Sequence, residues 1–159
     1  MDRIDLRILK ELQTDSSISN IELARRVNLS PSPCLARVRR LQESGLISRY
    51  VALLDPAALN LTLNVFISIS LKDQNRQSLR EFEQRVCAHD EVMECYLMTG
   101  DADYLLRVVM RGMAELEQFI IEELSPIAVV EKIRSSFALK QIRYKTALPL
   151  PAQDGATGL

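Results

Sequence analysis

Between residues 45 and 63 the spacing of apolar side chains changes, and that change limits the chain to two differently built units. Before it, apolar residues recur every three or four positions: Ile4, Ile8 and Leu12, then Leu23, Ala24 and Val27, then Leu35, Val38 and Leu41. That is one face of an α-helix, three times over. From residue 63, "LNVFISISL" alternates. Val65, Ile67, Ile69 and Leu71 fall on one side, and Asn64, Phe66, Ser68 and Ser70 on the other. That pattern marks a strand with one buried face.

The punctuation in the first part is specific. A helix over 2–14 is followed by the polar break "DSSIS". Ser19 and Glu22 have the S-x-x-E spacing of a capping box at the start of a second helix. Asn28 ends that helix, since asparagine tolerates the left-handed conformation of a tight turn. Ser30 caps the third helix ahead of Pro31 and Pro33, whose missing N–H groups cost nothing in a first turn. Pro33 biases Ser32 away from helical angles, so Ser32 is the alternative start. Gly45 closes the helix, and "LISRYVALLD" alternates enough to be a short strand or hairpin. Three short helices with a tight turn between the second and third describe a helix-turn-helix.

Net charge supports that reading only when taken locally. The whole chain carries −1, which argues against a diffuse nucleic-acid coat. Residues 1–60 hold nine Lys/Arg against seven Asp/Glu, and residues 25–49 hold six arginines against one acid, Glu43. A local basic stripe is the footprint of a nucleic-acid contact. On a helical wheel Cys34, Leu35, Val38 and Leu41 turn toward the core. Ser32, Pro33, Ala36, Arg37 and Arg40 occupy the opposite side. Small residues in the first turn let a helix sink into the major groove, where the arginines reach bases or phosphates. Arg25, Arg26 and Arg49 flank the helix as phosphate contacts, which position without specifying.

The second part continues with a helix over 77–89, two strands "VMECYLM" and "YLLRVVM" joined by "TGDAD", a helix over 113–124 and a β-rich stretch over 129–146. The order β-α-β-β-α-β is the ferredoxin-like split unit, so the fold class is α+β. The expected divisions are a DNA-binding domain at 1–50, a linker strand and hinge at 51–62, a ferredoxin-like domain at 63–146 and a flexible tail at 147–159. The three cysteines show no CxxC spacing and the single His89 lacks neighbours at metal-ligand spacing, so neither zinc nor a disulfide frame is expected. No P-loop, G-x-G-x-x-G or G-x-S-x-G is present, and no catalytic pair can be named. A start charged from its second residue and the lack of a long apolar run lead us to expect a cytoplasmic chain without signal peptide or membrane span.

The turn "TGDADYLLRV" at 99–108 admits two readings: a plain hairpin, or a site where two acids hold an ammonium and free N–H groups meet a carboxylate. Here a resemblance adds weight. "SNIELARRVNLSPSPCLARVRRLQESGLI", "YVALLDP", "TGDADYLLRV" and "SSFALKQIRY" occur in order over the first 146 residues. Together they resemble the bacterial Lrp/AsnC, or feast/famine, transcription regulators. The resemblance implies an N-terminal winged helix-turn-helix and a ferredoxin-like effector domain. It also implies dimers that assemble into tetramers or octamers, and an amino-acid effector held between subunits. Carried over by position, it puts the recognition helix at Ser32 to Ser44 and the effector turn at Thr99, Gly100, Asp101, Asp103 and Tyr104. Ser135 and Ser136 match the segment facing that pocket. Asn28 departs from the glycine of many relatives, and Met98 and Ala102 say nothing of side-chain preference. Leu105 is expected to line an apolar wall, and since no charge lies beyond the turn, the expected effector is apolar, such as leucine or methionine. The reading is therefore a double-stranded-DNA-binding, amino-acid-responsive regulator acting at the bacterial nucleoid. The alternative is an architectural DNA binder without effector sensing.

Overall fold

The computed structural model describes residues 1–151. The chain divides into two units: one formed by Met1–Leu53 together with the chain from Ile142 onward, the other by Leu54–Gln141.

The first unit is built on three helices, α1 (Arg3–Thr14), α2 (Asn20–Val27) and α3 (Pro31–Glu43). Ile8, Leu9, Leu23, Ala24, Val27, Cys34 and Leu41 form its core. Helix α1 starts at a reciprocal cap: the Asp5 N–H donates to Asp2 Oδ1 and the Asp2 N–H donates to Asp5 Oδ2. The expected box at α2 is half made. The Glu22 N–H donates to Ser19 Oγ, while the Glu22 carboxylate turns to Arg25 and Arg26 instead. Asn28 has φ 58°, the left-handed turn its side chain tolerates. Ser30 is the N-cap of α3 with Pro31 in the first turn, although its hydroxyl makes no capping bond. Asn20 Nδ2 donates to the Pro31 carbonyl at 2.9 Å and ties the start of α2 to the start of α3.

Two expectations change here. Leu35 is 38% exposed, because Cys34 and Leu41 already complete the core face of α3. Residues 46–55 form no strand, since they have no paired neighbour among the described residues. The segment from 142 returns to α1: the Leu148 N–H donates to Gln13 Oε1 at 2.7 Å and Leu150 packs against the helical core. Residues 147–151 of the expected tail are thus held, and 152–159 lie outside the described residues.

The second unit is a four-stranded antiparallel sheet of β1 (Leu63–Leu71), β2 (Val92–Leu97), β3 (Tyr104–Met110) and β4 (Val130–Phe137), in spatial order β2-β3-β1-β4. Helix α4 (Arg76–Val86) follows β1, and α5 (Met113–Gln118) follows β3 and continues as a π-helical turn over Phe119–Leu124. This is the expected β-α-β-β-α-β order. The alternation of β1 is real: Val65, Ile67 and Ile69 are fully buried beneath Phe82, Val86, Leu116 and Leu124. Its other register, with Phe66 and Ser68, lies beside Leu105 and Arg107 of β3 and Arg134 and Ser136 of β4. The β-rich stretch expected over 129–146 ends at Phe137, because the chain leaves the sheet to rejoin α1.

Candidate functional site

Two places in the fold carry the residues singled out by sequence. The first is α3. Ser32 and Pro33 in its first turn and Ala36 in its second are exposed, as a groove-entering helix requires. Arg37 and Arg40 differ from the expected free face. Arg37 Nη1 donates to Asp2 Oδ2 at 2.6 Å and to Asp5 Oδ1 at 2.8 Å, and Arg40 Nη2 donates to Asp5 Oδ2 at 2.9 Å. The Asp5 residue is only 1% exposed. Burial pushes its carboxyl up, but the Asp2 N–H and the Arg37 guanidinium outweigh that and hold it below the usual carboxylate range. The Asp5 N–H and then Arg37 depress Asp2 in the same way. Sequence reasoning misses this clamp, although the D-x-x-D spacing at the chain start is a visible capping signal.

Around it, Arg25 and Arg26 both chelate Glu22, whose carboxyl falls to about 2 through those two hydrogen bonds. Arg26 also reaches Glu11 at 3.0 Å. Arg49 is exposed in the segment after α3. Arg39 is exposed and makes no ion pair or hydrogen bond to another described residue.

The second place is the turn between β2 and β3. The Met98 N–H donates to the Asp103 carbonyl and the Asp103 N–H to the Ile69 carbonyl, 2.8 and 2.9 Å. The Asp103 carboxylate accepts from the Leu71 N–H at 2.7 Å and from Gln74 Nε2 at 2.5 Å. Asp103 therefore staples the turn to the end of β1. Thr99, Gly100 and Asp101 stand exposed, and none of the N–H groups of 99–102 donates to another described residue. Gly100 has φ 122°, a backbone conformation side chains resist.

Tyr104, expected at the effector, instead enters the core. Its ring lies 4.6 Å from Phe82 and its hydroxyl donates to Glu83 Oε1 at 2.8 Å. Burial, and then Glu83, pushes that phenol up. Strand parity explains the correction: Tyr104 shares the buried register of Leu106, Val108 and Met110. Leu105 takes the other register, opposite Ser68 and Tyr96. Ser135 and Ser136 face opposite ways. Ser135 is paired with buried Ile67 and lines an apolar groove with Met113, Leu116 and Ile120, while Ser136 is paired with Phe66. In one chain both sit across β1 from β3, away from the turn.

Comparison with known proteins matches both units of the chain. A winged helix-turn-helix DNA-binding model matches residues 1–48, and an Lrp/AsnC ligand binding domain model matches residues 64–148. The chain is 45% identical over 150 residues to the Bkd operon transcriptional regulator of Pseudomonas aeruginosa, covering 94% of this chain and 98% of that one. It is 40% identical over 148 residues to the leucine-responsive regulatory protein of Escherichia coli, covering 93% and 90%. A transcriptional regulator from Neisseria meningitidis, solved with L-Met, is similar at TM-score 0.90 and 38% identity over 94% of this chain and 96% of that one. With matches that run through both units and nearly end to end, this chain belongs to the Lrp/AsnC family of transcription regulators.

Proposed function

We propose that this chain regulates transcription by binding specific DNA through α3, and that a small apolar amino acid held at the turn 99–103 adjusts that binding. It acts as a regulator and not as an enzyme, in the bacterial cytoplasm at the nucleoid. Among the described residues no helix is long and apolar enough to cross a membrane. Ser32, Pro33 and Ala36 present α3 to the major groove. Arg25, Arg26 and Arg49 meet phosphates; exposed pairs such as Arg25–Glu22 are worth little in water and exchange readily.

The observation that carries the effector reading is the division of labour in the turn. Asp103 is committed to holding the loop, while Asp101 and the N–H groups around Gly100 are left for a ligand. An α-amino acid needs that set: an anion for its ammonium and donors for its carboxylate. Leucine and methionine are the effectors to try first, given the names of the relatives. Calorimetry with L-leucine and L-methionine should show Asp101→Asn binding about ten- to a hundredfold more weakly, the worth of a charge-assisted hydrogen bond. Asp103→Asn should lower the melting temperature as well. Wild-type affinity in both variants would move the site elsewhere, and no binding of any amino acid to the wild type would leave an architectural DNA binder.

The effector unit is also proposed to build a homodimer, and dimers to assemble into tetramers or octamers. The sheet face bearing Phe66, Leu105 and Tyr96 lies opposite the helix-covered one, and such a face seeks a partner. Ser136, which shares the face of Phe66, would then approach the turn from a neighbouring chain, while Ser135 points to the helix side. Light scattering should report at least twice the 18.0 kDa of one chain. A mass of one chain at micromolar protein would contradict the dimer.

A further inference from the structure

We propose that Arg39 is the base-reading side chain of α3, flanked by Ser32 and Leu35, and that Arg37 and Arg40 are positioning residues that hold the helix on Asp5. The inference rests on the DNA-binding reading and assigns its specificity.

Three arginines crowd positions 37–40, and the charge count alone treats them alike. The structure does not. Arg37 and Arg40 converge on one buried carboxylate, Asp5. Withdrawing them toward DNA would leave that carboxylate buried and unpaired, which costs far more than breaking an exposed pair. They stay, and their work is to set the angle between α1 and α3. Arg39 lies between them in sequence yet is exposed and without a partner among the described residues.

Arg39 also has the right company. Ser32, Leu35 and Arg39 are spaced three and four apart, so they form one stripe along the helix, with Ala36 beside it. All four are exposed. Leu35 has no core role to explain it, since Cys34 and Leu41 fill that face. Each stripe member matches a groove feature: an arginine fork to the O6 and N7 of guanine, a leucine methyl to the methyl of thymine, and a serine hydroxyl to either donor or acceptor. Seven residues of helix span about 10 Å. At 3.4 Å per step that is about three base pairs, a reading frame one helix can cover.

The test uses the full-length protein and a duplex chosen by the wild type from a random-sequence pool, with a scrambled duplex as the comparison. Arg39→Ala should lose roughly 10–100-fold on the chosen duplex and only a few-fold on the scrambled one. Arg39→Lys should keep wild-type affinity for the scrambled duplex but lose preference at one base pair, because an ammonium cannot form the two-pronged contact. Arg37→Ala, or the milder Arg37→Lys, should lower the melting temperature and weaken both duplexes in the same proportion, with the profile of preferred bases unchanged. If Arg39→Ala keeps every base preference, or Arg37→Lys alters them, the assignment is overturned. If the wild type enriches no sequence from the pool, the sequence-specific reading falls, and this inference with it.

Discussion

Asp5→Ala should destabilise the helical unit by about 2–4 kcal/mol, near the cost of removing one partner from a buried charge cluster. Asp5 takes part in five contacts at once. It accepts from the Asp2 N–H, from Arg37 and twice from Arg40, and its own N–H feeds the Asp2 side chain. Alanine removes the acceptors and leaves the half-buried Arg37 with Asp2 alone, while Arg40, 61% exposed, recovers water; both keep the loss below the top of the range. For a unit of this size the melting temperature should drop by roughly 4–8 °C per kcal/mol. Because Arg37 and Arg40 then lose their anchor, affinity for DNA should fall as well. The pH dependence has a definite sign. The folded carboxyl lies below its unfolded value of about 3.9, so its stabilisation is complete above that pH and is lost as the pH drops through the lower folded value. Melting curves from pH 7 down to pH 3 should therefore fall more steeply for the wild type than for Asp5→Asn. A wild-type melting temperature for Asp5→Ala would dispose of the clamp.

Phe82→Ala should strike the other unit harder, at about 3–5 kcal/mol, the usual loss when a fully buried aromatic side chain is truncated. Phe82 is completely buried, and its ring packs 4.6 Å from that of Tyr104 at a 39° tilt. Tyr104 follows Asp103 directly in the chain, so the cavity opens beside the residue that anchors the turn proposed to hold the effector. Denaturant titration should show an earlier midpoint for the sheet unit, and calorimetry a weaker effector at temperatures where the unit remains folded. Unchanged stability would mean that the core closes over the gap, which the surrounding Val65, Ile67 and Leu106 leave little room to do.

Much of the fold is legible in the sequence wherever the signal is local. The registers of Ile4/Ile8/Leu12 and Val65/Ile67/Ile69 are backbone periodicities, and both hold. So do the left-handed turn at Asn28 and the start at Ser30–Pro31, which rest on side-chain chemistry at single positions. Failures come where the answer depends on a distant partner. Residues 46–55 and 138–146 alternate, but alternation makes a strand only when another strand is available to pair. Tyr104 defeats the sequence because "YLLRVVM" is apolar in both registers, so its buried side is decided by β1 and not by itself. The arginines of α3 look like free charge, since nothing in positions 37–40 reveals that an acid thirty-odd residues earlier claims two of them.

The return of the chain to α1 gives the molecule an unusual genetic architecture. The helical unit is assembled from both ends of the polypeptide, so the sheet unit is an insertion within it and not a neighbour appended to it. An engineer who fuses residues 1–53 to a foreign sensor would leave behind Leu148 and Leu150, and with them the bond to Gln13 and an apolar cover over the helical core. A faithful transplant carries two joints, replacing 54–141 and keeping the chain from Ile142 onward.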